Sequence, residues 1–425
     1  MSVNDNITSL IASLNKDPEL TTFKNTDEGE INDIIPTLIP VMDYNLVGGL
    51  PVSGQISEIF GKPSSGKSTF SATIMRNGLK MGIINVYFDV EGTQRASRLQ
   101  ELGVDPSKVL TFKLSRDKNG VVHELSVEKI GAKIIDILAK IHEADPNQKV
   151  IFFWDSIAMT NSEMQATNEL GQALVGQQAK ALATVGRKIQ ANLNLNNGAL
   201  IAFNQARDDF NAPVAKYATV KTVGGKAWEH LLSTRIQFAQ SGKIKAKTTD
   251  DKPIGTETRV KVVKSKVGDN FGADFKVAII GKSGYDFEYN LVTGAQDLGL
   301  ITTGRSPKFV DANGEVLITG KNTYDLSLKL KEPENQDVAT QIWQNMVLHY
   351  FPDCYPALFN TALIMRESDF PVIKGMRKYY IERQRAIDPQ QQDYNYLHFM
   401  DAYNNKKLPK DIMEETKVIL KELDK

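Results

Sequence analysis

Apolar residues follow two rhythms along this chain. Between about 35 and 280, short runs that are apolar on both sides alternate with longer stretches spaced for helices. The runs 55–60 (QISEIF), 85–89 (NVYFD), 150–155 (VIFFWD) and 199–204 (ALIAFN) read as strands covered on both faces. Helices are predicted between them, at 67–81 and from about 171 to 195. This alternation predicts an α/β domain with a mainly parallel sheet between helices. The runs 234–238, 258–264 and 275–280 alternate polar and apolar residues instead, which predicts half-exposed antiparallel strands.

The two ends differ from this middle. Ile7, Leu10, Ile11 and Leu14 share one face of a short helix that Asn6 is placed to cap, and 16–33 is a polar arm. So short a helix is not stable alone, so its face must dock on its own domain or on a neighbouring subunit. Spacing does not choose between them. Beyond about 284 the texture changes: 307–321 reads as a hairpin turning at 312–314, and the remainder is helical and rich in aromatics. The expected division is an N-terminal helix and arm (1–34), a core (35–284) and an accessory C-terminal domain (285–425).

The 425 residues carry 51 basic and 51 acidic side chains, so any contact with a polyanion must come from a local patch. The single cysteine, Cys354, excludes an intramolecular disulfide and a cysteine-rich zinc module. The five histidines show no metal-ligand spacing. The N-terminus lacks the basic start and apolar stretch of a signal peptide, and no apolar run has membrane-spanning length. A cytoplasmic protein with no membrane partner is expected.

The candidate chemistry centres on 61–68. Gly61, Lys62, Pro63, Ser64, Ser65, Gly66, Lys67 and Ser68 fit G-x-x-x-x-G-K-[ST] in full, between a predicted strand and a predicted helix that Thr69 continues. Glycines let the backbone wrap a phosphate and aim its N–H groups inward, and the helix start adds positive potential. Lys67 is placed to reach the β- and γ-phosphates and Ser68 to ligate Mg²⁺, so ATP with magnesium is expected. Asp155 ends an apolar strand, as does the aspartate that holds magnesium in phosphate-loop enzymes. Asp89 and Glu91 end another strand. Spacing alone leaves a water-orienting carboxylate and a capping residue equally open there.

Taken in order, these motifs resemble the RecA family of bacterial and phage strand-exchange recombinases. The likeness starts near Thr37 and runs through GKPSSGKST, YFDVEG, VIFFWDSIA, LIAFNQAR, TVGGKA and ETRVKVVKSK, weakening after about Gly320. The resemblance implies a RecA-like core and gives roles to matching residues. Glu91 takes the position of the glutamate that activates the hydrolytic water, Asp155 the magnesium-side aspartate, and Gln205 the sensor of the γ-phosphate. Lys264 and Lys266 match a lysine pair that reaches the γ-phosphate of the adjacent protomer; on spacing alone they read as solvated. Two DNA-binding loops are implied, near 159–175 and 206–225. Arg207, Lys216, Lys221 and Lys226, with Arg187 on the preceding helix, are the implied phosphate contacts. Phe210 and Tyr217 are placed to stack on bases, and Gly224 and Gly225 end the second loop.

Several positions depart from the family's pattern. Arg95 and Arg98 stand where bacterial members place an aspartate and a tyrosine around the adenine, and His230 replaces an interface phenylalanine. Asp208 and Asp209 put negative charge into the second loop. These departures point to a divergent, phage-type member. Lys374, Lys378 and Arg385 share one side of a helix read in the C-terminal region, open both to duplex contact and to plain solvation. The expected activity is a DNA-dependent ATPase that forms a homo-oligomeric filament on single-stranded DNA, with ATP at protomer interfaces, and exchanges strands with homologous duplex DNA. A ring-forming motor on the same core and a nucleotide-switched scaffold are the alternatives.

Overall fold

A computed structural model describes residues 34–350, apart from 47, 117, 119, 121, 168–175, 209–219, 247–251, 267–271, 283 and 312, together with Glu414. These all belong to the second of two units into which the chain divides, Met1–Asn32 and Asp33–Lys425. Ile7, Leu10, Ile11 and Leu14 lie outside the described residues, as do Phe210, Lys216, Tyr217, Lys374, Lys378 and Arg385.

Eight strands form one sheet: β1 (Gln55–Gly61), β2 (Ile84–Asp89), β3 (Val109–Lys113), β4 (Val150–Asp155), β5 (Gly198–Gln205), β6 (Thr234–Ile244), β7 (Gly255–Ser265) and β8 (Asp274–Ile280). Their spatial order is 8-7-6-1-5-4-2-3. From β6 across to β3 every pairing is parallel, while β7 and β8 add antiparallel to the far edge. The parallel strands carry apolar residues on both faces because helices cover both. Ile59, Phe153, Ile201 and Phe203 pack on the side of Phe70, Ile74 and Met75 from helix α1 (Lys67–Lys80). On the opposite face of the same strands, Ile56, Phe152, Leu200 and Ala202 pack with Ile130, Ile134 and Leu138 of α2 (Val127–Ala144), and Leu182 and Ile189 of α3 (Gln177–Leu195).

Two strands differ from the sequence expectation. β6 is not purely antiparallel. Thr234 to Phe238 pair in parallel with Ser57 to Gly61 of β1, and only the other edge runs antiparallel, against β7. Thr234 to Phe238 keep the predicted alternation of buried and half-buried residues, and past Phe238 the strand leaves β1 and continues beside β7 alone. The edge strand β3 was not legible at all, since only Val109 of its five residues is buried.

After Gly284 the described residues up to Tyr350 stay on this core. Helix α4 (Gly225–Leu231) precedes β6, and α5 (Phe287–Asp297) follows β8. Asp286 caps α5 by accepting from Tyr289 N at 2.9 Å. Asn290 then bonds both backbone groups of Ala278, accepting from its N–H at 2.8 Å and donating to its carbonyl at 3.0 Å. The expected hairpin forms between Lys308–Val310 and Val316–Thr319, and two more helices follow, Thr323–Leu330 and Gln336–Tyr350. Among the described residues no helix is long and apolar enough to cross a membrane.

Candidate nucleotide site

The carboxyl ends of the parallel strands meet at one edge of the sheet, where α/β folds place their ligand sites. Gly61 at the end of β1 pairs with Gln205 at the end of β5, and Asp89 of β2 pairs with Asp155 of β4. Parallel register therefore brings the phosphate loop, the glutamine and both aspartates together, although up to 144 positions separate them in the chain.

The loop has no room for side chains at two of its glycines. A Cβ on Gly61 would lie 2.1 Å from the Phe238 carbonyl oxygen, and one on Gly66 would lie 2.8 Å from Ile279 Cδ1. Gly66 also has φ +97°, and Ser64 takes φ +63°, a conformation costly for a residue with a side chain. Thr258 holds the loop from β7, donating to the Ser65 carbonyl at 3.1 Å. Lys67 Nζ donates to the carbonyls of Gly61 and Lys62, both at 2.9 Å. Burial lowers the pKa of this ammonium, against the pull of Asp155 and Glu91. Lys62, Pro63, Ser64 and Ser68 are exposed, Thr69 half-buried, and Ser65 Oγ is buried without a hydrogen-bond partner.

Glu91 faces this loop with one oxygen doubly held. Its Oε1 accepts from Ser156 Oγ at 2.5 Å and from Gln205 Nε2 at 2.9 Å. Asp155 Oδ2 accepts from the Tyr87 hydroxyl at 2.7 Å. Burial pushes the Asp155 carboxyl up to about 6; Tyr87 opposes that shift, Glu91 adds to it, and Lys67 counters it. Ser156 and Tyr87 were missed in the sequence. Ser156 follows Asp155 directly, so adjacency was a usable signal. Tyr87 reaches Asp155 only because it pairs with Phe153, two residues away on the neighbouring strand.

Other singled-out residues lie apart. Lys264 pairs with Arg235, which pairs with Glu58 on β1, three positions before Gly61 and so about 10 Å down the strand. There Lys264 Nζ donates to the carbonyls of Glu229 (2.7 Å) and His230 (3.2 Å), at the C-terminus of α4. Burial lowers its pKa, and Lys266 lowers it further. Lys266 is exposed, and its N–H donates to Ser233 at 2.9 Å. Arg98 donates to Glu101 Oε2 at 3.0 Å and to the Lys282 carbonyl at 2.6 Å, tying its helical turn to the turn after β8.

On the implied DNA side, Arg187 is exposed on α3, and Lys221 and Lys226 are exposed. Arg207 and Asp208 pair antiparallel with Lys221 and Val220, closing the base of the segment between them. Gly224 (φ +113°) and Gly225 (φ +66°) form the left-handed turn that starts α4. A Cβ on Gly224 would sit 2.9 Å from Trp228 Cβ.

The raised pKa of Asp155 makes a stability prediction. Its folded value, about 6, exceeds the ordinary 3.8, so the fold favours the protonated form. That contribution is full below about pH 4 and is lost as pH rises through 6. Asp155→Asn is therefore expected to stabilise the nucleotide-free protein at pH 7.5 by about 1–3 kcal/mol, with a smaller gain at pH 5. Urea unfolding at the two pH values checks this; equal effects at both would show that the carboxylate is not penalised by the fold.

Comparison with known proteins gives the family. The RecA N-terminal domain family matches residues 21–285. Protein RecA of Methylococcus capsulatus is 31% identical over 314 residues, 73% of this chain and 81% of that protein. Protein RecA of Legionella pneumophila is 30% identical over 300 residues, covering 71% and 78%. Protein RecA of Haemophilus ducreyi is 29% identical over 327 residues, covering 76% and 80%. The chain belongs to the RecA family.

Proposed function

We propose that this chain is a DNA-dependent ATPase that assembles into filaments on single-stranded DNA and pairs that strand with homologous duplex. The observation that carries the reading is the shared hydrogen bonding of Glu91. Gln205 donates to the carboxylate that faces the phosphate loop, and two residues later the chain enters the ladder at the base of the implied DNA loop. A side chain that contacts both a γ-phosphate and this carboxylate makes the catalytic group and the loop responsive to one event.

The residues present fit a magnesium–nucleotide complex. Gly61 and Gly66 let the loop backbone lie close against Phe238 of β6 and Ile279 of β8, and the buried Ser65 Oγ of the same loop has no hydrogen-bond partner. Ser68 and Asp155 offer the hard oxygen donors that magnesium selects. The bound ion and triphosphate would supply an electrophilic phosphorus with a good leaving group. The protein's part is positional and electrostatic. The ammonium of Lys67 would exchange its two carbonyl partners for phosphate oxygens. Asp155, held by Tyr87, would keep its oxygens directed at the ion. Glu91, once released by Gln205, would orient water and accept its proton. Lys264 and Lys266 would serve the adjacent protomer's nucleotide, because their own site lies too far away.

Electron microscopy with single-stranded DNA and a slowly hydrolysed ATP analogue, beside a strand-exchange assay, tests the reading. Extended helical filaments and pairing of homologous duplex are expected. Closed rings, or no pairing, would overturn it.

A further inference from the structure

One buried carboxylate takes no part in the nucleotide site. Glu58 lies in the middle of β1 with its side chain wholly buried. Such a group is tolerated only when both oxygens are well met, and here three elements meet them. Oε1 accepts from Asn204 Nδ2 of β5 at 2.9 Å and from Trp228 Nε1 of α4 at 3.0 Å. Oε2 accepts from Arg235 Nε of β6 at 2.6 Å.

Each donor reaches further. The Asn204 amide also donates to the Val223 carbonyl at 2.8 Å. Arg235 Nη2 donates to Thr222 Oγ1 at 2.6 Å, its Nη1 lies 2.9 Å from Glu229 Oε1, and its guanidinium lies 4.4 Å over the Phe60 ring. Thr222 and Val223 immediately follow the ladder that closes the base of 207–221. Asn204 immediately precedes Gln205. The carbonyls of Glu229 and His230 hold Lys264.

We infer that Glu58, with Arg235, Asn204 and Trp228, forms a positioning hub that makes the base of segment 207–221 and Lys264 move together with Gln205. The inference rests on the proposed role of Gln205 as the nucleotide contact. Its physical basis is the cost of a half-made network. In a buried site a hydrogen bond is strong and an unpaired partner is expensive, so the network favours discrete arrangements over gradual stretching. β1 is held in the centre of the sheet, so Glu58 is the fixed point. A displacement of β5 at Gln205 is then passed through Asn204 to Val223 and its neighbour Thr222, and from Thr222 through Arg235 to Glu229 of α4.

Hydrogen-exchange mass spectrometry on the full-length protein tests this, comparing nucleotide-free protein with protein holding magnesium and a slowly hydrolysed ATP analogue. In the wild type, nucleotide is expected to slow exchange of peptides covering 207–223 by about fivefold or more. Thr222→Val removes one hydrogen bond at the periphery of the hub. It should keep nucleotide affinity within about twofold while retaining no more than half of that slowing. Glu58→Gln should show the same loss and reduce single-stranded-DNA stimulation of ATP turnover about tenfold. If Glu58→Gln does not fold, the Thr222→Val result decides. Undiminished slowing in Thr222→Val, or no nucleotide-dependent change in the wild type, would overturn the hub. A wild type that shows the slowing but no DNA-stimulated turnover would instead refute the proposed activity and leave the hub standing.

Discussion

Replacement of Glu91 by Gln is expected to cut ATP turnover on single-stranded DNA by about 10²–10⁴-fold, the usual contribution of a positioned general base. The amide keeps the shape of the carboxylate and can still accept from Ser156 and Gln205 through its oxygen, so the loop and the sensor should remain in place. Nucleotide affinity should accordingly change little. A stopped-flow measurement of analogue binding beside a steady-state turnover assay separates the two effects. Turnover that survives intact would remove Glu91 from the chemistry. Weakened binding with unchanged turnover at saturation would assign Glu91 to the ground-state complex instead.

The same replacement shows why parts of this site are legible in a sequence and others are not. The phosphate loop is readable because its requirement is a backbone one: Gly61 has a carbonyl oxygen 2.1 Å from where its Cβ would be, and Gly66 takes a left-handed conformation. Only glycine satisfies both, so chemistry and local sequence coincide there. β4 is readable for a related reason, since burial of all six residues forces an unbroken apolar run up to Asp155. β3 is not, because an edge strand with one buried residue leaves no periodic trace.

Residues whose role depends on register are the least visible. Ser156 and Tyr87 act on Glu91 and Asp155 across neighbouring strands, 65 and 68 positions away in the chain. Glu58 interrupts an apolar run, and its partners Asn204, Trp228 and Arg235 are 146, 170 and 177 positions distant. No spacing rule connects them; only the parallel pairing of β6, β1 and β5 does. Gly224 and Gly225 carry the opposite lesson. Read as the end of the second loop, they are also the left-handed start of α4, whose Trp228 packs against Gly224.

The placement of Lys264 leads to the second large effect. Its ammonium is held at the carbonyl end of α4, beside β6 at the level of Glu58, and the Glu91 carboxylate lies beyond the opposite end of that strand segment. If these lysines act in hydrolysis, they must act on a neighbour. Lys264→Met with Lys266→Met is therefore expected to reduce DNA-dependent turnover about 10³-fold, as loss of a cation supplied from another subunit does. Loss of the Lys264 bonds to α4 also loosens that helix. The Lys266→Met variant alone, altered at an exposed side chain, guards against a folding artefact. The decisive measurement is a mixture. Filaments assembled from equal parts of the lysine variant and Glu91→Gln contain two kinds of inactive protomer. Random order places an intact Glu91 against intact lysines at about one interface in four. Turnover should return to about a quarter of the wild-type value, from two preparations that are each nearly inert. A mixture no more active than its components would place the whole site within one protomer, and the lysine pair would then be structural.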